Sequence, residues 1–416
     1  MTDLISALRL LTRLKNKSVH LGVTGSVACY KAIELMRALL HAGMRVSATL
    51  TAAAGKFVTP LLFESLGAFP VYSELFGDAD VFAHLEPGQN ADAFFVVPAS
   101  ANTLAKMAQG LAMDMLSAQY VAFDGPVLAA PSMNVRMWNH PATRHNVQIL
   151  RDRGVAVIDP GSGSLACGSA GKGRLASLQH LFLYALRAAA PADMQGQRVM
   201  VTLGPTREPW DGVRFWSNPS SGLMGSCLAM ASWIRGAEVT AVAGPGVPEE
   251  LLPSDLPGLV RINAFTAQDM FEKAAGVWPE STLGMFCAAV ADFSPVPFGD
   301  KKFKKADHQD GFSVQFTANR DILSTLAGER QGRQKTLGFA AETAGSMEEL
   351  LSLARLKCER KGADIIAANC VNQPGSGFAA PTNSMAVACA DGRGEIWPTL
   401  SKADVAWDLC TWLLQA

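Results

Sequence analysis

Charge imbalance is absent from this sequence of 416 residues, in which 36 Lys and Arg side chains nearly cancel 37 Asp and Glu side chains for a net charge of −1. Such a chain has neither the basic surface that binds nucleic acid nor the polybasic patch that binds anionic lipid. No apolar run approaches the roughly 20 residues that span a bilayer. The sequence therefore predicts no nucleic-acid or membrane partner. Enzymes of small metabolites have this composition, and so do many binding proteins.

Closely spaced cysteines are also missing. The eight cysteines lie far apart and none forms a CxxC pair, so the usual spacing of zinc ligands and of thioredoxin-like redox pairs is excluded. Most of them are expected to be small buried hydrophobic residues. The segment from Met1 to Lys17 is too polar and too interrupted for a signal peptide. We therefore predict a short amphipathic helix there, ahead of the first strand, and a cytoplasmic location.

What the sequence does have is an alternation of apolar strands with helical patterns. A helix is predicted over 27–43, with Gly43 as its stop. In the first half, the predicted strands cover residues 18–25, 45–51, 92–99 and 125–131. Strands that are apolar on both faces and separated by helices indicate a parallel sheet covered by helices on both sides.

A stretch of small residues with Pro and Gly near residue 190 separates this series from a second one. The second series has a helix over 346–361, a hairpin over 385–398, and strands predicted at 198–206, 237–245, 282–292, 335–343 and 363–371. The prediction is thus an α/β protein with two open, mostly parallel, doubly wound (Rossmann-like) domains, 1–188 and 189–416. Ligands in such folds bind beyond the carboxyl ends of the strands.

Small polar residues follow the predicted strands of the first domain. Those before the first helix lie where free N–H groups and the helix dipole favour a phosphate, although an ordinary Ser N-cap explains them as well. The group after the third strand contains three hydrogen-bonding side chains, which capping alone hardly explains. Together these turns predict a mononucleotide site. Its residues are Gly25, Ser26, Thr51, Ser100, Asn102 and Thr103.

Four longer motifs over residues 18–185 resemble one family. GSVACYK, HLEPGQNADAFFVVPASANTLAK, PSMNVRMW and LACGSAGKGRLA resemble the flavoprotein cysteine decarboxylases, in particular the phosphopantothenoylcysteine decarboxylases. The resemblance implies FMN at the turns named above. It also implies that Asn134 holds the substrate carboxylate, that His84 assists the chemistry, and that Cys167 in a Gly/Ser-rich flap donates a proton. Taken alone, His84 is more typical of a structural group or an N-cap.

The chemistry of decarboxylation fits these residue types. CO2 loss needs a place for the electrons left behind, and a cysteinyl amide offers none. Oxidation of the CH2–SH group by a flavin to a thioaldehyde places a C=S bond β to the carboxylate, and the enethiolate formed is then reduced with a proton from an acid. The neutral amide of Asn134 would fix the carboxylate without the ground-state stabilisation that a cation gives. The apolar neighbours Met133, Met137 and Trp138 would desolvate it, although Met137 and Trp138 are also typical of residues that pack the loop or a neighbouring subunit.

In the second domain, a long loop rich in turn-formers follows the first strand. Ser220, Ser221 and Gly222 lie just before a helix, where they either cap it or receive phosphate oxygens. Arg207 and Arg214 lie on the same loop, and their guanidinium groups suit phosphate or carboxylate. Two arginines on one such loop favour an anionic ligand.

The motifs GPTREP, NPSSGLMG, AAVADF, GFAAET and KCERKGAD, over about 195–412, resemble the phosphopantothenate–cysteine ligase family. The order of the domains is that of the fused bacterial enzymes of coenzyme A biosynthesis. The resemblance implies that CTP and Mg2+ form an acyl-cytidylate, which the cysteine amine attacks, and that Arg214, Asn218 and Lys302 take part in catalysis. Fixed positive charge would stabilise the phosphate transition state. The implied nucleotide contacts are Phe286, Cys287, Ala288, Asp292, Lys302, Arg320, Asp321, Ile322, Leu323, Phe339, Lys357 and Lys361.

These resemblances imply a bifunctional enzyme that joins cysteine to 4′-phosphopantothenate and decarboxylates the product to 4′-phosphopantetheine. Departures from the ligase pattern at Leu223, Ala318, Arg320 and Cys370 support an alternative, an active decarboxylase with a weakened or nucleotide-altered ligase. A third hypothesis is a flavin-bound regulatory or scaffolding protein without turnover. The resemblance also implies a homo-oligomer with a trimer-based decarboxylase core and ligase dimers. The Mg2+ ligands cannot be identified from the motifs.

Overall fold

The computed structural model describes residues 4–76, 82–164, 170–253, 255–304, 311–370 and 380–416. The chain divides into two compact units. The first unit is Leu11–Pro191, and the second is Ala192–Ala416 together with the described residues up to Leu10. Those first residues were predicted to belong to the first domain, whereas in the structure they group with the second unit.

The elements are numbered along the chain. The helices are α1 (Leu4–Leu8), α2 (Tyr30–His41), α3 (Pro60–Ser65), α4 (Glu86–Asn90), α5 (Ala101–Gln109), α6 (Met115–Val121), α7 (Val135–Asn139), α8 (Pro141–Asp152), α9 (Leu178–Ala189), α10 (Leu223–Ile234), α11 (Ala267–Val277), α12 (Ile322–Gly328), α13 (Met347–Lys361) and α14 (Lys402–Gln415). Short 3-10 turns cover Thr12–Leu14, Val27–Cys29, Ala54–Lys56, Glu249–Leu251 and Trp278–Glu280. The strands are β1 (Ser18–Val23), β2 (Arg45–Leu50), β3 (Val71–Tyr72), β4 (Ala93–Ala99), β5 (Val127–Pro131), β6 (Ala156–Val157), β7 (Gly161–Ser164), β8 (Ala170–Arg174), β9 (Arg198–Leu203), β10 (Arg207–Pro209), β11 (Phe215–Ser217), β12 (Glu238–Ala243), β13 (Leu259–Asn263), β14 (Leu283–Phe286), β15 (Phe293–Pro295), β16 (Phe316–Ala318), β17 (Lys335–Glu342), β18 (Ile365–Cys370), β19 (Thr382–Cys389) and β20 (Gly394–Ser401).

The first unit is built on a parallel sheet in the order β3-β2-β1-β4-β5-β6. Every residue of β1 and β4 is buried, as expected for strands covered on both faces. The chain leaves β1 toward β2 and β3 and later returns to β4 on the other side of β1. The point where the strand order reverses therefore lies between β1 and β4, where open α/β sheets bind ligands.

The second unit contains a larger sheet in the order β13-β12-β9-β14-β17-β18-β19-β20. The pairs from β13 to β18 are parallel, and β19 and β20 form the predicted antiparallel hairpin at one edge. The fold-class prediction of two mostly parallel, doubly wound α/β sheets is confirmed. The edge strands β3, β6 and β13 were not predicted.

Helix ends follow local chemistry in both units. The predicted helix over 346–361 is α13, which begins after Ser346, whose side chain accepts a hydrogen bond from the Glu349 N–H. It ends before Gly362, which has a φ of 62°. The predicted N-terminal helix is shorter than expected, since α1 ends at Leu8. In the described part of the chain, no helix is both long enough and apolar enough to cross a membrane.

Candidate functional sites

In the first unit, the predicted flavin turns meet where the strand order reverses. The Thr24 hydroxyl, just after β1, donates to the Pro98 carbonyl at 2.6 Å and accepts from the Ser100 N–H at 2.9 Å. The Ser26 hydroxyl lies 3.3 Å from that of Ser132, which follows β5. These contacts bring the turns after β1, β4 and β5 together at one edge of the sheet.

The turn after β2 also approaches this edge closely. A Cβ atom added at Gly25 would lie 2.5 Å from the Cβ of Ala53, so only glycine fits between the two turns. Thr51 accepts a hydrogen bond from the Ala54 N–H at 3.3 Å. The three turns that carry the predicted FMN residues, after β1, β2 and β4, are thus adjacent to one another and to the turn after β5.

Capping accounts for part of the polar character of these turns. Ser26 accepts from the Ala28 N–H at 3.4 Å, and Ser100 accepts from the Thr103 N–H at 3.3 Å. Asn102 is exposed on the first turn of α5. These turns thus present small hydroxyls and helix N-terminal N–H groups around Gly25, where no side chain fits. Such groups suit the phosphate of a mononucleotide. The residues therefore fit FMN.

Asn134 is the N-cap of α7, with its Oδ1 accepting a hydrogen bond from the Arg136 N–H at 2.8 Å. The expected apolar surround is only partly present. Trp138 is fully buried and packs in the hydrophobic core with Val147 and Leu150, whereas the Met137 residue is 49% exposed. Trp138 thus faces the core and Met137 faces solvent, so neither side chain surrounds the Asn134 amide as expected.

Strand β8 packs directly against the Asn134 loop. The Met133 N–H donates to the Gly173 carbonyl at 3.0 Å, and a Cβ at Gly173 would lie 2.4 Å from the Met133 carbonyl oxygen. Strands β7 and β8 form an antiparallel pair, and Cys167 lies between them in the sequence but outside the described residues. The predicted flap is thus anchored, at its β8 side, on the loop that carries Asn134.

His84 is half-buried in the turn before α4. The carbonyl of the preceding Ala83 accepts a hydrogen bond from Gln119 Nε2 at 3.3 Å. Glu86, two residues further on, is hydrogen-bonded to the hydroxyl of Tyr72. Hydrogen bonds therefore hold the turn that carries His84 at a residue before it and at a residue after it.

In the second unit, a cavity of about 550 Å³ opens beyond the carboxyl ends of the parallel strands. Asn218, Ser220, Ser221 and Gly222 line it, and so does every predicted nucleotide contact except Lys302. The predicted residues in its wall are Phe286, Cys287, Ala288, Asp292, Arg320, Asp321, Ile322, Leu323, Phe339, Lys357 and Lys361. Residues from β14, β17, α12 and α13 thus converge on one space large enough for a nucleotide.

The cations of this cavity are held in place by neighbouring groups. Lys357 forms an ion pair with Glu342, and Lys361 forms one with Asp321. The Arg320 guanidinium lies 4.4 Å from the centre of the Phe271 ring, within cation–π range. Their side chains are therefore oriented within the cavity wall.

Two residues of the sequence prediction lie elsewhere. Neither Arg214 nor Lys302 is part of the cavity wall. Arg214 pairs with the buried Asp211 at 2.6 Å and lies over the rings of Trp210 and Phe303. Lys302 is exposed. The structure thus brings Asn218 to the predicted nucleotide residues but does not bring Arg214 or Lys302 there.

Other polar residues of the cavity wall were not predicted from the sequence, namely Thr202, Asn369, Asn383 and Lys402. Lys402 is only 3% exposed, and burial lowers its pKa. It is the first residue of α14, where the helix dipole disfavours a cation. That unfavourable position was the signal in the sequence that could have identified it.

Metal ligands are less evident. Within the described ranges, no group of three or more His, Cys, Asp and Glu side chains comes together as a metal site. Mg2+ in nucleotide sites is usually held by one or two carboxylates together with the phosphates. Asp292 and Asp321 are the carboxylates that line the cavity, so the residues present fit a metal that arrives with a nucleotide.

Comparison with known proteins gives two family matches. A flavoprotein family matches residues 8–187, and the family of the DNA/pantothenate metabolism flavoprotein C-terminal domain matches residues 194–416. The coenzyme A biosynthesis bifunctional protein CoaBC of Bacillus subtilis (strain 168) is 38% identical over 401 residues, which are 95% of this chain and 96% of that protein. Its namesake from Escherichia coli (strain K12) is 38% identical over 383 residues, 91% and 92% of the two chains. The crystal structure of the C-terminal domain of a CoaBC protein is similar at 31% identity, with a TM-score of 0.42, over 53% of this chain and 97% of that one.

Proposed function

Since this chain belongs to the family of the bifunctional coenzyme A biosynthesis proteins, we propose that it ligates cysteine to 4′-phosphopantothenate and then decarboxylates 4′-phosphopantothenoylcysteine to 4′-phosphopantetheine. The decarboxylase would occupy the first unit, Leu11–Pro191, and the ligase the second unit, Ala192–Ala416 together with α1. The observation that carries the proposal is the convergence of Asn218 and the predicted nucleotide residues on one cavity of the second unit.

In the first unit, bound FMN would supply the oxidation of the substrate at its thiol-bearing carbon and the return of the electrons. Gly25, Ser26 and Thr51 belong to the turns that would hold its phosphate, and so do Ser100, Asn102 and Thr103 on the other side of the switch point. Asn134 orients the substrate carboxylate through its neutral amide, His84 assists proton movement, and Cys167 donates the final proton. The adjacency of the four strand-end turns and the packing of β8 on the Asn134 loop support this assignment.

In the second unit, CTP would bind with its triphosphate near Ser220, Ser221 and the cations Arg320, Lys357 and Lys361, and Mg2+ would come with it. The substrate carboxylate attacks the α-phosphate and pyrophosphate leaves. The cysteine amine then attacks the carbonyl of the acyl-cytidylate, which forms the amide and releases CMP. Asn218 lies in the cavity wall and suits the acyl group. Arg214 and Lys302 would act only if their segments approach a bound substrate.

The alternative of a weakened ligase is not favoured. The second family match runs through residues 194–416. Of the departures that motivated it, Ala318 and Cys370 are not part of the cavity wall. Leu223 and Arg320 both line the cavity, and Arg320 keeps a cation there. We further propose a cytoplasmic homo-oligomer, with decarboxylase trimers and ligase dimers.

The test is an absorbance spectrum of the purified protein, followed by product analysis with 4′-phosphopantothenate, cysteine, CTP and Mg2+. A flavin spectrum and 4′-phosphopantetheine as product are expected. Conversion of added 4′-phosphopantothenoylcysteine alone would mean that the ligase assignment is wrong. A protein that cannot be reconstituted with FMN would remove the decarboxylase assignment, and a flavin-bound protein without any turnover would leave only a regulatory or scaffolding role.

A further inference from the structure

A chain of buried polar side chains crosses the first unit, and the proposed chemistry does not use it. His20 on β1, Thr49 on β2 and Gln119 on α6 are each 0% exposed, and Ser47 on β2 is 9% exposed. Buried polar groups of this kind destabilise a protein unless each has a hydrogen-bond partner. Here they are partners of one another.

The distances define one continuous chain of hydrogen bonds. His20 Nδ1 lies 2.8 Å from the Ser47 hydroxyl, and His20 Nε2 lies 2.9 Å from the Thr49 hydroxyl. The Thr49 hydroxyl is 2.5 Å from Gln119 Oε1, and Gln119 Nε2 is 3.3 Å from the carbonyl oxygen of Ala83. The chain thus starts inside the sheet and ends on the backbone of the residue before His84.

The Ala83 carbonyl sets the direction of every bond in this chain. A carbonyl oxygen only accepts, so the amide nitrogen of Gln119 must face it and the amide oxygen must face Thr49. The Thr49 hydroxyl then donates to Gln119 and accepts from His20 Nε2–H. His20 Nδ1 is left without a proton and accepts from Ser47. The neutral state that this requires agrees with burial, which lowers the pKa of His20 to about 3.

Other contacts also hold the turn that carries His84, since the Leu85 N–H donates to the Phe82 carbonyl at 2.8 Å. Tyr72, Ala83 and Met115 pack together in a small cluster beneath it. The Tyr72 hydroxyl bonds the Glu86 side chain. Thr49 lies two residues before Thr51, one of the predicted FMN residues, so the chain of hydrogen bonds connects the His84 turn to the strand that ends at the flavin site.

We propose that Gln119 is a positioning residue for the decarboxylase, which fixes the turn that carries His84 through the Ala83 carbonyl. The proposal rests on the proposed function of the first unit. Misplacement of a reacting group by about 1 Å lowers a rate by up to about a hundredfold, so loss of this bond should act on catalysis rather than on substrate binding.

The experiment uses the full-length protein with its flavin and measures kcat and KM for decarboxylation of added 4′-phosphopantothenoylcysteine. Gln119→Met removes the amide donor at similar size and is expected to lower kcat by about tenfold or more, with KM and the flavin spectrum nearly unchanged. Ser47→Ala is the matched control, because it removes a hydrogen bond at the far end of the same chain and leaves the Gln119–Ala83 bond in place. It should lose stability but keep its kcat.

The double variant with His84→Asn separates positioning from general destabilisation. If Gln119 acts through His84, Gln119→Met causes no further loss in the His84→Asn background. Three results would each overturn the proposal. They are losses of kcat that add up in the double variant, a loss of kcat in Ser47→Ala equal to that in Gln119→Met, and an unchanged kcat in Gln119→Met. If Gln119→Met does not fold, Gln119→Asn, which keeps an amide but is one methylene too short to reach the Ala83 carbonyl, takes its place with the same expectations. A wild type that does not decarboxylate would instead refute the proposed function.

Discussion

At the scale of single residues, Asn134 has both a structural and a proposed chemical role. Asn134 caps α7 through its Oδ1, and under the proposed function it also orients a carboxylate. Aspartate caps a helix as well as asparagine does. A change to aspartate therefore keeps the cap while adding a negative charge where the substrate carboxylate would bind.

We expect Asn134→Asp to unfold at nearly the same temperature as the wild type. Its kcat/KM for decarboxylation should fall by about a hundredfold or more, because like charges brought together cost several kcal/mol. Asn139→Asp is the control, since Asn139 is exposed at the last residue of the same helix and adds the same charge. Equal kinetics in the two variants would contradict the role of Asn134.

His20 makes the first unit sensitive to acid. Burial lowers its pKa from 6.5 to about 3, so below pH 6.5 the unfolded chain binds a proton that the folded protein does not bind. The free energy of unfolding should therefore fall as the pH drops from 6.5 toward 3, by about 2 kcal/mol between pH 7.5 and pH 5. Urea unfolding of wild type and His20→Gln measures the difference. A variant with the wild-type pH dependence would show that His20 is not the group responsible.

At the scale of elements, the turns after the strands matter most. The turns after β1 and β2 approach each other closely at Gly25, where an added Cβ would lie 2.5 Å from Ala53 Cβ. Gly55 lies in the same neighbourhood, and an added Cβ there meets nothing within 4 Å. We expect Gly25→Ala to lose bound flavin and about 1–3 kcal/mol of stability, and Gly55→Ala to lose neither. The flavin-to-protein absorbance ratio and thermal unfolding test this. Equal flavin content in both variants would show that the close approach is irrelevant to the cofactor.

The sequence predicted the elements whose hydrophobic pattern is long. The apolar runs of β1 and β4 and the long helix α13 were predicted within a few residues, since periodicity over several residues is a strong signal. The two-residue strands β3 and β6 are too short to show any period. The link from His20 to Gln119 joins residues far apart in sequence, and no local pattern encodes such a contact. Lys302 was assigned to the nucleotide by motif alone, and the cavity does not include it.

At the scale of the whole molecule, the two proposed activities belong to separate units. Lys361→Gln removes a cation from the cavity of the second unit, and Lys304→Gln removes an exposed one outside the cavity. We expect CTP-dependent ligation to fall by about tenfold or more in the first variant only. Decarboxylation of added 4′-phosphopantothenoylcysteine should be unchanged in both. Loss of both activities in Lys361→Gln would mean that the two units do not act independently.

The placement of α1 has a consequence for how the protein is made. Leu4 and Leu8 are buried, α1 packs on α10 and α14, and the Ser401 hydroxyl donates to the Leu10 carbonyl at 2.9 Å. During synthesis, α1 thus emerges from the ribosome before the first unit, whereas its packing partners α10 and α14 emerge after the first unit. A fragment that begins at residue 192 lacks α1 and leaves an apolar surface on α10 and α14 uncovered. We expect such a fragment to be less stable and more prone to aggregate than the same unit within the full chain.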